Sequence, residues 1–158
     1  MAAAGKWKMY EAAKRDFANG LHDFDTHTFR IGLFLSGGNA GDLTLANAYL
    51  ADLTSQHANG NGYTTLAEGA GKSVTLTTAQ ASGTVTIDET TNPSWTASGG
   101  PITARYAVIV NDSHASNQAV FVCLLDTAPA DVTATDGNTF TITINASGVV
   151  TMSGAAVD

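Results

Sequence analysis

Four side chains with the chemistry of metal ligands, His22, Asp23, Asp25 and His27, crowd into six residues near the start of the chain. Imidazole and carboxylate together suit zinc and other divalent ions. The spacing matches no compact metal motif, and Asp is common in turns because its carboxylate hydrogen-bonds the local backbone. The segment therefore reads as a polar turn, and no metal is expected. A second candidate is Glu68-Gly69-Ala70-Gly71-Lys72-Ser73, which ends like a phosphate-binding loop. Such a loop opens with Gly, follows a buried strand and leads into a helix whose first N–H groups hold the phosphates. Here Leu66 stands at the opening position, "NGNGYTTLA" precedes, and the β-branched alternation Val74-Thr75-Leu76-Thr77-Thr78 follows. No nucleotide or other cofactor is expected. Gly69 and Gly71 read as turn residues, and Lys72 as a charge at the start of a strand.

Nucleophilic chemistry lacks a frame as well. The glycine loops "LSGGNAG" at 35–41 and "ASGG" at 97–100 do not carry G-x-S-x-G. Asp88-Glu89, and Asp131 with Asp136, read as turn acids rather than a glycosidase pair. The single cysteine, Cys123, lies in the apolar run Ala119–Leu125, where a thiol acts as a small hydrophobe. A reactive thiol needs exposure and a positive neighbour, and neither is visible. His57 and His114 fall in polar stretches and are expected to be solvated. No catalytic, cofactor-binding or metal residue is assigned, and the chain reads as no enzyme.

The elements around these residues follow from pattern. At 158 residues the chain is one domain, and only 13% of it is charged, about half the usual quarter. With 16 glycines and many Thr, Ser and Asn, that composition belongs to turn-rich β proteins. Trp7, Tyr10, Ala13, Phe17 and Leu21 follow at helical spacing, with Lys8, Glu11, Lys14, Arg15 and Asp16 between them. Asn19-Gly20 is a helix stop. Residues 1–21 thus form an amphipathic N-terminal helix and candidate docking segment, and 22–158 the body. A strand is expected over 29–35 and a short inserted helix over 45–53. From residue 73 the period becomes two, as in Val85 and Ile87. The runs 102–111 and 119–125 are nearly all apolar, so they belong at the centre, covered on both faces. Phe140, Ile142 and Ile144 point one way, and Asn145–Gly148 should close a hairpin onto Val149, Val150 and Met152. The fold class is mainly β: a sandwich or partly open barrel of about 6–8 strands.

Charge is uneven. Five of the seven basic residues (Lys6, Lys8, Lys14, Arg15, Arg30) meet four acids in residues 1–30, a net of +1. The rest has Lys72 and Arg105 against ten acids, a net of −8. An acidic body argues against nucleic acid as a partner. The longest apolar runs are too short to cross a bilayer. "MAAAGKWKMYEAAKR" shows no apolar stretch ahead of a cleavage site, so synthesis in a cytoplasm is expected.

Four stretches, in order, carry a resemblance: "FANGLHDFDTHTFRIGLFLS" at 17–36, "NGNGYTT" at 59–65, "ITARYAVIVND" at 102–112 and "GNTFTITINASGVVTMS" at 137–153. Together they resemble a group of small virion structural proteins of tailed bacteriophages. In that group an N-terminal helix leads into an "sDtfkvaLv" strand, a "GnGYtagG" turn, an "itaRyavlyn" strand and a closing "ngtFtItfnasGvltl" hairpin. The likeness covers most of residues 6–153. It departs where Leu66-Ala67-Glu68-Gly69 replaces a Gly-Gly, so the turn there is expected to differ.

The resemblance implies a structural part of a phage particle, made in the bacterial host cytoplasm. A capsid decoration or head-associated accessory protein is the leading expectation. A neck or tail protein, or a carbohydrate-binding module using Tyr63 and Trp95, is the alternative. Its partners would be the major capsid protein or neck and tail proteins, with further copies of itself in a homo-oligomer. The interface candidates are Trp7, Tyr10 and Phe17 as aromatic anchors, and Lys6, Lys8, Lys14 and Arg15 facing an acidic surface. The same helix could equally close its own sandwich.

Overall fold

The two apolar runs at 102–111 and 119–125 supply the centre of the molecule. A computed structural model describes residues 5–68, 71–127 and 131–154. Among them, in chain order, are β1 (Lys8–Met9), α1 (Glu11–Ala18), β2 (Phe29–Phe34), β3 (Lys72–Val74), β4 (Leu76–Ala81) and β5 (Thr84–Glu89). Then come β6 (Ser94–Thr96), β7 (Ile102–Ala104), β8 (Tyr106–Asn111), β9 (Gln118–Leu124), β10 (Val132–Ala134), β11 (Thr139–Thr141) and β12 (Val150–Ser153). The principal sheet has the order β1-β9-β8-β2-β3, with β8 and β9 inside it. Smaller antiparallel sheets, β10-β7, β11-β6 and β12-β5-β4, complete a sandwich-like, mainly β fold that does not close into a barrel. Ala107–Asn111 and Gln118–Cys123 are buried throughout, as runs covered on both faces should be.

The strands are shorter and more numerous than their apolar pattern implies. Arg105 divides the run at 102–111, so β7 pairs with β10 while β8 joins the principal sheet. Thr75 likewise separates β3, paired with β2, from β4, paired with β5. The turn at Asn145–Gly148 forms, with Gly148 N–H donating to Asn145 O at 2.8 Å. Its flanking strands nevertheless pair elsewhere: Phe140 opposite Trp95, and Val150 opposite Ile87. The tightest hairpin joins β4 to β5 through Ser82 and Gly83, both left-handed at φ 49° and 76°. That is the twist-matched two-residue turn.

The N-terminal segment differs most from its expected form. Residues 5–10 run extended along β9: Gly5 N–H donates to Leu124 O at 2.7 Å and Tyr10 N–H to Val120 O at 3.0 Å. Between them Lys8 pairs with Val122 and Met9 with Phe121. The β8–β9 register shifts at Val120, and this carbonyl serves the start of the helix. The three-residue spacing of Trp7 and Tyr10 therefore comes from a strand and a helix cap, not from a helix face. Helix α1 stops where expected. Gly20 N–H donates to Phe17 O at 2.9 Å and Leu21 N–H to Asp16 O at 2.8 Å, with Gly20 at φ 76°. This paired closure needs a left-handed residue. A Cβ at Gly20 would meet nothing within 4 Å. Gly20→Ala is thus expected to cost the backbone penalty alone, about 1 kcal/mol, read from the urea midpoint.

The short helix expected over 45–53 is a single 3-10 turn at Leu50–Asp52. Buried Asn47 donates instead to Asn39 O and Asp42 O at 2.9 and 2.8 Å, and Asp52 Oδ2 accepts from Tyr49 N–H at 2.9 Å. Such side-chain bonds compete with helical ones. The Leu66 departure is a packing feature. Leu66 fills the room left by Gly32 and Gly71, where an added Cβ would stand 2.5 Å from its methyl carbons. Lys72 opens β3 as expected; Gly69 lies outside the described residues.

Tyr63 ties this region to the principal sheet. Its hydroxyl oxygen accepts Leu33 N–H of β2 at 2.9 Å and Gln56 Nε2 at 3.0 Å. Tyr63→Phe would leave a buried N–H without that acceptor and is expected to cost ~1–3 kcal/mol in chemical denaturation.

Candidate functional site

The seven candidate interface residues divide into two sets. Trp7 and Tyr10 are core residues, 8% and 0% exposed, and Tyr10 Oη donates to Ala40 O at 2.6 Å. Burial raises the Tyr10 phenol's pKa, with the Asp42 charge adding to the rise. Neither ring can serve as an anchor for an outside partner. Phe17 is 36% exposed, and Lys6, Lys8, Lys14 and Arg15 all face outward. Arg15 also holds the buried Asp16 carboxylate at 2.9 Å. The helix closes its own body through Ala12 and Ala13, while its basic side stays open.

Two further exposed apolar residues, Leu45 and Tyr49, lie where the sequence pattern predicts a helix. They belong to a loop tied to the same region. Leu43 O accepts Glu11 N–H at 3.2 Å, Ala48 O accepts Ala119 N–H at 3.0 Å, and Leu50 N–H donates to Asn117 O at 2.9 Å. A chain of rings leads inward from this flank. Phe17 lies 5.6 Å from Phe24, which lies 5.6 Å from both Phe29 and Phe121.

The acids of the polar turn work structurally. Asp23 Oδ1 accepts the N–H groups of Asp25 and Thr26 at 3.0 and 3.1 Å. Hydrogen bonds from Thr26 and Asp25 lower the Asp23 pKa. Asp25 clasps β4, accepting Thr78 N–H at 2.7 Å and Thr78 Oγ1 at 2.5 Å. The histidines of the turn point the other way, to Asn111. Its Nδ2 lies 3.0 Å from His22 Nδ1 and 3.0 Å from His27 Nδ1. His114 joins them, 5.3 Å edge-on from His27, with Nε2 at 2.8 Å from Leu21 O. It is therefore bonded rather than simply solvated. Burial lowers the His22 pKa to about 4, against a smaller upward pull from Asp16. Among the described residues, no group of three or more His, Cys, Asp or Glu is placed to hold a metal ion.

Cys123, Glu89 and His57 each make contacts within the fold. Cys123 is fully buried, donates to Gly5 O at 3.2 Å, and has its thiol pKa pushed up to about 12 by burial. Glu89 is buried on its own turn, accepting Thr91 N–H and Oγ1 at 3.0 and 2.9 Å. Its pKa is raised by burial. His57 packs edge-on against Tyr63, and burial lowers its pKa. Tyr63 and Trp95, the rings considered for sugar stacking, are buried at 2% and 5% exposure. A broad groove of about 1060 Å³ runs between Trp7, Leu125, Phe140, Ile142 and Val150, with Lys6 as the charged residue in its described lining. No helix among the described residues is long and apolar enough to cross a membrane.

No protein-family model matches the chain, and comparisons with curated proteins and with solved structures return no match.

Proposed function

We propose that this chain is a structural, non-enzymatic component of a tailed-phage virion, a capsid decoration or head-associated accessory protein attached through its α1 flank. The observation that carries the reading is the asymmetry of charge along the chain. Lys6, Lys8, Lys14 and Arg15 stand exposed, as does Phe17, while the chain beyond residue 30 carries a net −8. Exposed basic side chains on an otherwise acidic chain would steer this flank toward an acidic partner. Phe17, Leu45 and Tyr49 supply the apolar area that such a contact would bury. The phage-like order of motifs around Gly20, Gly62 and Asn145–Gly148 points the same way. The partner is the shell protein, with further copies of this chain alongside it by virion symmetry.

Cryo-EM of particles purified from cells that express the chain from its own genome tests the reading. Ordered copies at symmetry-related positions on the capsid are expected, with α1 toward the shell. Copies confined to neck or tail would overturn the decoration role, and particles without the chain would overturn the virion role. Deleting residues 1–20 is not a usable test, because it would strip Trp7, Met9 and Tyr10 from the core.

A further inference from the structure

The partners of the three clustered histidines fix where their protons sit. Ser113 N–H can only donate, and it reaches Asn111 Oδ1 at 3.0 Å. That contact orients the amide, so Nδ2 is the atom facing the two rings. An amide NH2 has two hydrogens and no lone pair to offer. His22 Nδ1 and His27 Nδ1, each 3.0 Å away, must therefore both present lone pairs. Asp23 N–H adds a second, longer donor to His27 Nδ1 at 3.4 Å. Both rings are thus neutral and carry hydrogen on Nε2. His114 Nε2 faces a carbonyl, which can only accept, so it bears its proton there.

This cluster joins elements far apart in the chain. Residues 21–28 link α1 to β2, and Asn111 closes β8 opposite Gln118 of β9. The same junction holds Thr28 N–H on Ser113 Oγ and Asp112 N–H on Thr28 O, both at 2.8 Å. It is not sealed. His22 Nε2 and Gln118 Oε1 are buried without a hydrogen-bond partner, the first a donor by the argument above and the second an acceptor. Buried polar groups left unmatched make a junction costly to hold.

We propose that the Asn111 cluster is an acid-sensitive latch: a proton on Nδ1 of His22 sets N–H against N–H and releases residues 21–28 from the β8–β9 end. Release frees the C-terminal end of α1, which carries Phe17. The groups facing His22 divide. Asp16 of α1 favours its protonation, His27 and His114 oppose it, and Phe24, 6.1 Å away, contributes an apolar wall. Burial outweighs the aspartate, so His22 resists protonation until the pH is well below its ordinary value. The latch does not depend on the chain being a virion component.

Amide hydrogen exchange on the full chain, corrected for intrinsic rates, tests it between about pH 7.5 and about pH 4.5. The Thr28, Asp112 and Ser113 amides are expected to lose protection at least ~10-fold through an opening that low urea does not accelerate, while Ile109 and Phe121 stay better protected and exchange through a urea-dependent unfolding. Unchanged protection, or a junction loss that urea accelerates as it does Ile109 and Phe121, would overturn the latch. Asn111→Asp reverses the logic, since a carboxylate only accepts and favours protonated rings. In that variant protection at Thr28 and Ser113 should rise as pH falls; a fall like the wild type's sinks the proposal. His22→Asn offers a second check if the aspartate variant does not fold. Its Oδ1 replaces the Nδ1 acceptor and cannot titrate, so it should hold protection to lower pH. An acid loss equal to the wild type's would overturn the latch.

Discussion

Gly62→Ala is expected to destabilise the protein by ~3 kcal/mol or more, the largest effect of any single methyl added here. Gly62 sits at φ 83°, in the left-handed region, so a side chain there already costs about 1–2 kcal/mol. The added Cβ would also drive into the carbonyl oxygen of Thr96, well inside van der Waals contact. That oxygen belongs to β6, which cannot move alone because Trp95 is paired with Phe140 and packed against Tyr63. The turn itself is held by mutual Gly60–Tyr63 backbone bonds of 2.9 and 2.8 Å. Gly83→Ala is the control, with φ 76° and nothing within 4 Å of the new carbon. It should lose only ~1 kcal/mol. Equal urea midpoints for the two variants would show that the close approach to Thr96 has no energetic weight.

Acidification is expected to cost about 2–3 kcal/mol of stability between neutrality and about pH 4.5, through His22. The folded protein lowers this group from 6.5 to about 4. Below 6.5 the unfolded chain binds the proton more readily, so stability falls as pH falls through that window and levels off below about 4. The loss is capped by the cost of freeing residues 21–28, since an opened segment lets the imidazole charge in water. Glu89 acts with the opposite sign: its raised pKa makes the fold gain on acidification. Asp23, lowered, acts only below the ordinary carboxylate range, where stability is lost as it protonates. Subtracting the urea-derived pH profile of His22→Asn from that of the wild type isolates the histidine. A flat difference would contradict the assignment.

Much of the frame could be read in advance because it depends on local chemistry. β8 and β9 announce themselves by unbroken apolar runs, Asn19-Gly20 by the left-handed residue a helix stop needs, and Cys123 by its apolar neighbours. What stayed hidden depends on partners distant in the chain. Asn111 meets two histidines 89 and 84 positions earlier, and no spacing rule reaches that far. Trp7 and Tyr10 mislead because a three-residue step fits both a helical face and an extended segment capping a helix. Leu66 looks like a defect in a glycine motif until Gly32 and Gly71 are seen to make room for it. For the surface, charge was legible and exposure was not. The basic residues lie outside as expected, but of the three aromatic anchors only Phe17 does.

The most direct measurement of the central claim, an inert acidic block held by a basic flank, is attachment to purified particles by a double charge reversal, Lys8→Glu with Lys14→Glu. Both side chains are exposed, so folding should be unchanged. Attachment should weaken at least ~10-fold, and wild-type attachment should weaken as salt is raised. A folded double variant that still occupies particles at wild-type levels would contradict the account.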